Sequence, residues 1–227
     1  MTDSSNFQIM LSFDFIREKT VLIKKYILGP VQTACYLLCC EESRKAALID
    51  PGDRSSEIAS FLKDGKYELC YIINTHGHFD HTGGNKFFAG NGVPIILHRL
   101  DEELMKSGGG ASYFGLDIDA SPEPSIDASE RASITFGNVI LDIIHTPGHT
   151  RGHISLYHSI SRSLFCGDVL FFRSVGRTDL PGGSQKMLLQ SIREKLFTLP
   201  GDTTVYPGHG PETTIDDEKK YNPWVAV

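Results

Sequence analysis

Leu69-Cys70-Tyr71-Ile72-Ile73-Asn74 runs directly into Thr75-His76-Gly77-His78-Phe79-Asp80-His81, and this junction decides how the chain is read. The first stretch is a continuous run of strand length, the pattern expected of a strand buried on both faces. The second sets three histidines and a carboxylate within six residues, 76 to 81. Imidazole and carboxylate are ligands that suit Zn, Fe and Mn. A loop leaving a strand end can turn all four side chains toward one point. On a helix, His76 and His78 would diverge by about 200°.

Working outward, three more segments show a strand followed by glycine and a ligand type. His149 lies in His145-Thr146-Pro147-Gly148-His149-Thr150, Asp168 follows Leu164-Phe165-Cys166-Gly167, and His209 follows Val205-Tyr206-Pro207-Gly208. Loops gathered at the carboxyl edge of a sheet are how open α/β folds build sites. The candidates are therefore His76, His78, Asp80, His81, His149, Asp168 and His209. That set exceeds one tetrahedral ion and suits two ions sharing a carboxylate and a hydroxide. Asp80 and Asp168 are the candidate catalytic residues, Asp80 orienting the nucleophile as well as binding metal. His98 and His158 have no neighbouring ligand types and read as surface or core residues. His145 reads as structural, because Pro147-Gly148 excludes the helix that a His-x-x-x-His site requires. His153 stays outside the metal set, balanced between lining the cleft and holding a ligand by hydrogen bond.

Period and punctuation predict strands over Val21–Leu28 and Thr33–Cys40 around Gly29-Pro30, then Lys45–Ile49. A helix is expected from Ser55 to Lys63, others over 84–89 and 100–106, and a strand over 94–98. Strands return at 133–136, 139–145, 154–157, 164–166 and 203–206. Ser184 caps a helix to Phe197 with Leu188, Ile192 and Leu196 on one face. Gly108 to Glu130 reads as a long surface loop, hence a cleft wall, with Tyr113 and Phe114 as substrate contacts. Two runs of strands, each with helices, predict a single αββα α/β sandwich over residues 25–227, preceded by an extension over 1–24.

Composition narrows the function classes. With Lys plus Arg 22 against Asp plus Glu 28, the net charge is −6, and no basic cluster offers a phosphate-binding stripe, so nucleic acid is not an expected partner. No apolar run approaches the roughly 20 residues of a membrane helix, and residues 1–24 lack the basic flank and cleavage site of an export signal. The five cysteines, 35, 39, 40, 70 and 166, are odd in number and mostly sit in apolar runs. They read as buried thiols in a reducing compartment, with a cytoplasmic location expected. The oligomeric state is left open.

The segments Thr-His-Gly-His-Phe-Asp-His (75–81), Thr-Pro-Gly-His-Thr (146–150), Cys-Gly-Asp (166–168) and Pro-Gly-His-Gly (207–210), in this order, resemble the metallo-β-lactamase superfamily from about Lys24 to Thr214. Within it the chain is most similar to hydroxyacylglutathione hydrolase, or glyoxalase II, in a short form marked by Gly-Arg-Thr-Asp-Leu-Pro-Gly-Gly-Ser (176–184). The resemblance implies a first metal on His76, His78 and His149, a second on Asp80, His81 and His209, and Asp168 bridging both. It implies two divalent ions, zinc foremost with iron or manganese as alternatives. The implied reaction is hydrolysis of S-D-lactoylglutathione-type thioesters by a hydroxide held between them. One departure is that 18 residues follow His209 (227 − 209 = 18), whereas the glyoxalase II pattern continues into a helical domain that helps bind glutathione. Glutathione specificity is therefore open. Mononuclear iron persulfide dioxygenase and lactonase are alternatives on the same fold. β-Lactamase activity is disfavoured without an export signal, and a non-catalytic module is disfavoured with all ligand positions filled. Arg177 is a candidate substrate contact, although an Arg177–Asp179 pair bracing its loop is the plainer reading.

Overall fold

The computed structural model describes residues 21–116 and 118–225. The extension expected over residues 1–24 lies outside them except for 21–24, which open the first strand.

One six-stranded sheet runs in chain order: β1 (Val21–Leu28), β2 (Thr33–Cys40), β3 (Lys45–Ile49), β4 (Glu68–Ile73), β5 (Ile95–Leu97) and β6 (Ile126–Asp127). Its first three strands are antiparallel, and β3 to β6 pair in parallel. The second six-stranded sheet is built from β7 (Ser133–Phe136), β8 (Val139–His145), β9 (Ile154–His158) and β10 (Ser163–Gly167). It continues through β13 (Thr204–Pro207) to β14 (Thr213–Thr214), and β10–β13 is its parallel pair. A small hairpin, β11 (Leu170–Phe171) and β12 (Ser174–Val175), stands beside it.

The period-2 alternation of β2 explains the layering. Ala34, Tyr36, Leu38 and Cys40 face the core between the sheets, with Ile134, Phe136, Leu141, Leu156 and Phe165 from the second sheet. Cys35, Leu37 and Cys39 face outward beneath helix α1 (Ser56–Asp64), which presents Ile58 and Leu62 to them. Burying each of those two contributes about 1.5–3 kcal/mol. The Ser55 side chain caps α1 by accepting from the Ile58 N–H at 3.3 Å. On the far side, α5 (Gln185–Glu194) lays Leu188 and Ile192 over Leu164, Cys166 and Val205. The fold is thus the expected αββα sandwich. All five cysteines are free thiols, four buried and Cys70 half-buried.

Several elements differ from the sequence reading. β4 is fully buried only at Ile72 and Ile73, because the covering layers close only over its C-terminal end. The 108–130 stretch is not a bare loop: it contains 3-10 turns at Ala111–Phe114 and Ala128–Glu130 and supplies β6, paired to β5. The helix expected to reach Phe197 ends at Glu194 and continues as a 3-10 turn, Leu196–Thr198. The reading missed a last helix, α6 (Ile215–Tyr221), whose first turn carries Asp216, Asp217 and Glu218 and whose cap, Thr214 Oγ1, accepts from the Asp217 N–H at 3.2 Å. Three short helices complete the described residues: α2 (Phe79–Thr82), α3 (Asn85–Phe88) and α4 (Glu102–Lys106). No helix among the described residues is long and apolar enough to cross a membrane.

Candidate metal centre

The C-terminal ends of β3, β4, β8, β10 and β13 deliver Asp50, His76–His81, His149, Asp168 and His209 to one edge of the sandwich. The histidine-rich segment is a loop only through His78. Asp80 and His81 lie on α2, a single helical turn that follows. The turn suits them, since Asp80 stands in its first turn, where the helix dipole favours a negative charge.

The structure brings all seven sequence candidates together. Ligand-type atoms of His76, His78 and His149 lie within 4.8 Å of one another, as do those of Asp80, His81 and His209, and those of His76, His81 and Asp168. Asp168 spans the groups. Its Oδ1 is 3.4 Å from His81 Nε2, and its Oδ2 is 3.7 Å from His149 Nε2 and 3.6 Å from His209 Nε2. Asp80 Oδ2 stands 3.2 Å from His209 Nε2 and accepts from Thr33 Oγ1 at 2.9 Å.

This donor set fits divalent cations. His76 Nε2, His81 Nε2 and Asp168 Oδ1 are buried and have no hydrogen-bond partner among the described residues. Each such orphan costs about 1–3 kcal/mol, a penalty that bound cations offset. Burial, reinforced by the surrounding histidines, holds His76 well below the ordinary imidazole range. Burial and then His149 bring His78 down to about 3. Both therefore present lone pairs, the form in which imidazole binds metal. Burial opposes charge on His81, but Asp80, Asp168 and Asp50 outweigh it and hold its pKa well above the ordinary value. Burial likewise opposes the Asp168 carboxylate, and His81, His149 and His209 keep its pKa well below normal.

A surrounding layer aims these side chains. Asp50, at a left-handed φ of 50°, accepts from the Thr75 N–H and Thr75 Oγ1, both at 2.7 Å, and stands 3.0 Å from His81 Nδ1. His149 Nδ1 donates to the Arg177 carbonyl at 2.7 Å, which puts the lone pair on Nε2, 2.9 Å from His78 Nδ1. The Asp168 N–H donates to His153 Nε2 at 3.1 Å, so Nδ1 of that ring carries the proton and faces Thr146 Oγ1 at 3.0 Å. His153 thus holds a candidate ligand from behind and is not itself in the ligand groups. Asp101 ties the two histidine loops together: it accepts from the Gly77 N–H at 3.0 Å, Thr150 Oγ1 at 2.5 Å and the Gly152 N–H at 2.6 Å. Asp50, Asp101 and Thr33 escaped the sequence reading. Asp50 directly follows the strand expected over Lys45–Ile49, and Asp101 falls in the helix expected over 100–106, and no histidine adjoins either in sequence. Two glycines are fixed by contact. A Cβ on Gly208 would meet Asp168 Oδ1 at 2.2 Å, and one on Gly148 would meet Leu188 Cα at 2.3 Å.

The cluster opens into a cavity of about 410 Å³ with Val31, Phe79, Phe114, Phe171, Val175 and Leu180 in its wall. Phe114 packs on Phe79 with the rings tilted by 48° and their centroids 5.6 Å apart. Tyr113, the other expected contact, is 66% exposed and takes no part in that wall, because the 3-10 turn at 111–114 turns successive side chains to different sides. Arg177 lines the cavity, and its guanidinium grips Asp179 through two bonds of 2.7 and 2.8 Å. His98 and His158 are buried, and His98 stacks on His145 with centroids 4.5 Å apart.

Known proteins place this architecture. Over 198 residues the chain is 36% identical to the hydroxyacylglutathione hydrolase GloC of Haemophilus influenzae, covering 86% of this chain and 93% of that protein. Over 214 residues it is 34% identical to the human mitochondrial persulfide dioxygenase ETHE1, covering 91% and 77%. It superposes on the crystal structure of TTHA1623 in a di-iron-bound form with a TM-score of 0.81 at 36% identity, covering 89% of this chain and all of the other. The metallo-beta-lactamase superfamily model matches residues 28–209, a span that includes every residue of the cluster, and the chain belongs to that superfamily.

Proposed function

We propose that the protein is a dinuclear metallohydrolase that cleaves thioesters of the S-D-lactoylglutathione type, acting on a small-molecule substrate in the cytoplasm. The observation that carries this reading is Asp168, one carboxylate shared between two complete ligand groups, His76/His78/His149 and Asp80/His81/His209. These residues would hold two divalent ions, zinc foremost with iron or manganese as alternatives, which would acidify a bound water and polarise an acyl oxygen. The chain's own residues do the rest. Asp80, steadied by Thr33, orients the attacking water, whose proton passes to solvent and is matched by the one the departing thiolate takes up. The apolar cavity wall excludes bulk water and accepts the acyl group. Water oxygen adds to the acyl carbon, the C–S bond breaks, and the products are a carboxylic acid and a thiol. A thiol with a pKa near 8.5 leaves without a dedicated general acid. The relative named as a hydroxyacylglutathione hydrolase supports the reading.

The relative named as a persulfide dioxygenase favours a second reading, oxygen-consuming oxidation of a persulfide, for which we expect one iron per chain. The deciding experiment is anaerobic hydrolysis of S-D-lactoylglutathione by zinc-, iron- and manganese-loaded protein, with metal stoichiometry on the same samples. Two metals per chain and oxygen-independent turnover are expected. One iron per chain with oxygen uptake on glutathione persulfide would replace the hydrolase reading.

A further inference from the structure

Beside the cluster cavity lies a second one, of about 720 Å³. Phe79 and Asp80 belong to both walls, and Pro30 of the larger adjoins Val31 of the smaller. The two are compartments of one groove that meets at Asp80. The floor of the larger compartment is backbone. A Cβ on Gly52 would come 1.9 Å from the Asp80 carbonyl oxygen, and one on Gly83 would come 2.5 Å from the Gly52 carbonyl oxygen. The loop after β3 therefore lies directly on α2, backbone against backbone, and this close contact forms the floor.

The two compartments differ in chemistry. Around the cluster the wall is apolar, and its guanidinium, Arg177, is already held by Asp179. In the larger compartment Lys86 pairs with Asp119 at 3.3 Å, and Asp80 is held by Thr33 and His209. That leaves two adjacent opposite charges, Asp53 and Arg54, in the wall. The Asp53 carboxylate accepts only its neighbour's backbone N–H, from Arg54 at 2.7 Å, and neither side chain enters an ion pair among the described residues. A neighbouring carboxylate and guanidinium that do not satisfy one another match a ligand carrying an ammonium beside a carboxylate.

We infer that the larger compartment is a subsite for the carrier arm of the substrate, and that it selects carriers ending in an α-amino acid, with the carboxylate on Arg54 and the ammonium on Asp53. The inference rests on the thioesterase reading above and adds to it where each half of the substrate sits: acyl group against the apolar wall, carrier across Asp80 and over the glycine floor. Because Arg54 is exposed, its contact with a carboxylate is worth at most about fivefold, and the added ammonium contact on Asp53, or the charge reversal in Arg54→Glu, brings the expected change in KM to about tenfold.

The test compares two D-lactoyl thioesters, one of glutathione, whose γ-glutamyl end is an α-amino acid, and one of N-acetylcysteamine, which is short and neutral. The glutathione ester is expected to show a KM about tenfold lower at similar kcat. Arg54→Glu should raise that KM about tenfold and leave the neutral ester unchanged, and Arg54→Lys should recover part of the loss. An Arg54→Glu variant that changes both esters equally, or neither, overturns the subsite while the thioesterase reading stands. Should neither ester be cleaved, the thioesterase reading fails, and binding of the thioether S-propylglutathione to metal-loaded protein decides the subsite without turnover. A Kd weakened about tenfold by Arg54→Glu supports it, and equal Kd values or no binding overturn it.

Discussion

Asp101 accepts a hydrogen bond from the Gly77 N–H at 3.0 Å, and through its other oxygen it accepts the Gly152 N–H at 2.6 Å. One buried carboxylate thereby fixes the backbone between His76 and His78 to the backbone just beyond His149, across the seam between the two sheets. Asp101→Ala leaves two buried N–H groups and the Thr150 hydroxyl without their acceptor, at about 1–3 kcal/mol each. The expected result is a loss of about 3 kcal/mol or more in urea unfolding, together with reduced metal content. Asp101→Asn keeps one acceptor oxygen and should fall between. An Asp101→Ala variant with unchanged unfolding midpoint and full metal content would show that the two loops hold themselves.

His153 hydrogen-bonds one candidate ligand, Asp168, through the Asp168 N–H at 3.1 Å, and its ring stacks on a second, His76, with centroids 5.0 Å apart. Outer partners of metal ligands are worth about 10–100-fold in affinity or activity. His153→Phe should weaken metal binding by about that factor in a chelator competition. His153→Gln, whose amide oxygen can accept the same N–H, should recover part of it. If His153→Phe bound metal as tightly as the parent protein, the ring would be mere filling behind the site.

His158 tests pH dependence away from the cluster. It is 1% exposed, accepts the Ser161 N–H on Nδ1 at 3.3 Å, and has no partner on Nε2 among the described residues. Burial, partly countered by Asp142, depresses its pKa below the ordinary 6.5. The unfolded chain therefore binds this proton more readily than the folded one. The stability His158 contributes is present above pH 6.5 and is lost as the pH falls through the folded-state value. The cluster histidines titrate in the parent and in His158→Gln alike, so the difference between the two proteins isolates this residue. That difference in unfolding free energy should favour the parent at pH 7.5 and shrink by pH 5.5. A constant difference across that range rules out His158 as its source.

The ligand types were legible because His76, His78, His149, Asp168 and His209 each adjoin a glycine in a loop that follows a strand, and Asp80 and His81 lie in the same short run as the first two. The layered fold was legible for a related reason: β2, with alternate residues in two different cores, leaves no polar face, which only a sheet covered on both sides tolerates. What local pattern cannot show is partnership at long range. Asp101 lies 24 residues from Gly77 and 51 from Gly152, and Asp50 lies 25 from Thr75. In sequence each is one more acid near a turn. Tyr113 and Phe114 are adjacent and chemically alike, and only the handedness of a 3-10 turn sends one to the cavity wall and the other to solvent.

Gly208 gives the sharpest test of how closely the cluster is packed. Its φ is ordinary, so backbone conformation does not demand glycine there. The demand comes from space: an added Cβ would sit 2.2 Å from Asp168 Oδ1 and 2.8 Å from His81 Cε1. The Asp168 carboxylate has little room to retreat, with His81, His149 and His209 3.4 to 3.7 Å from its oxygens, and His81 is fully buried beside Asp50. The strain must move the 207–209 turn outward, carrying His209 away from Asp80. Gly208→Ala is therefore expected to fold and to keep metal at the His76/His78/His149 group while losing it at the Asp80/His81/His209 group. Metal analysis should read close to one ion per chain in place of two, with hydrolysis down at least about a hundredfold. Two ions and near-parental turnover in Gly208→Ala would mean that Asp168 and His209 have far more room than these distances allow.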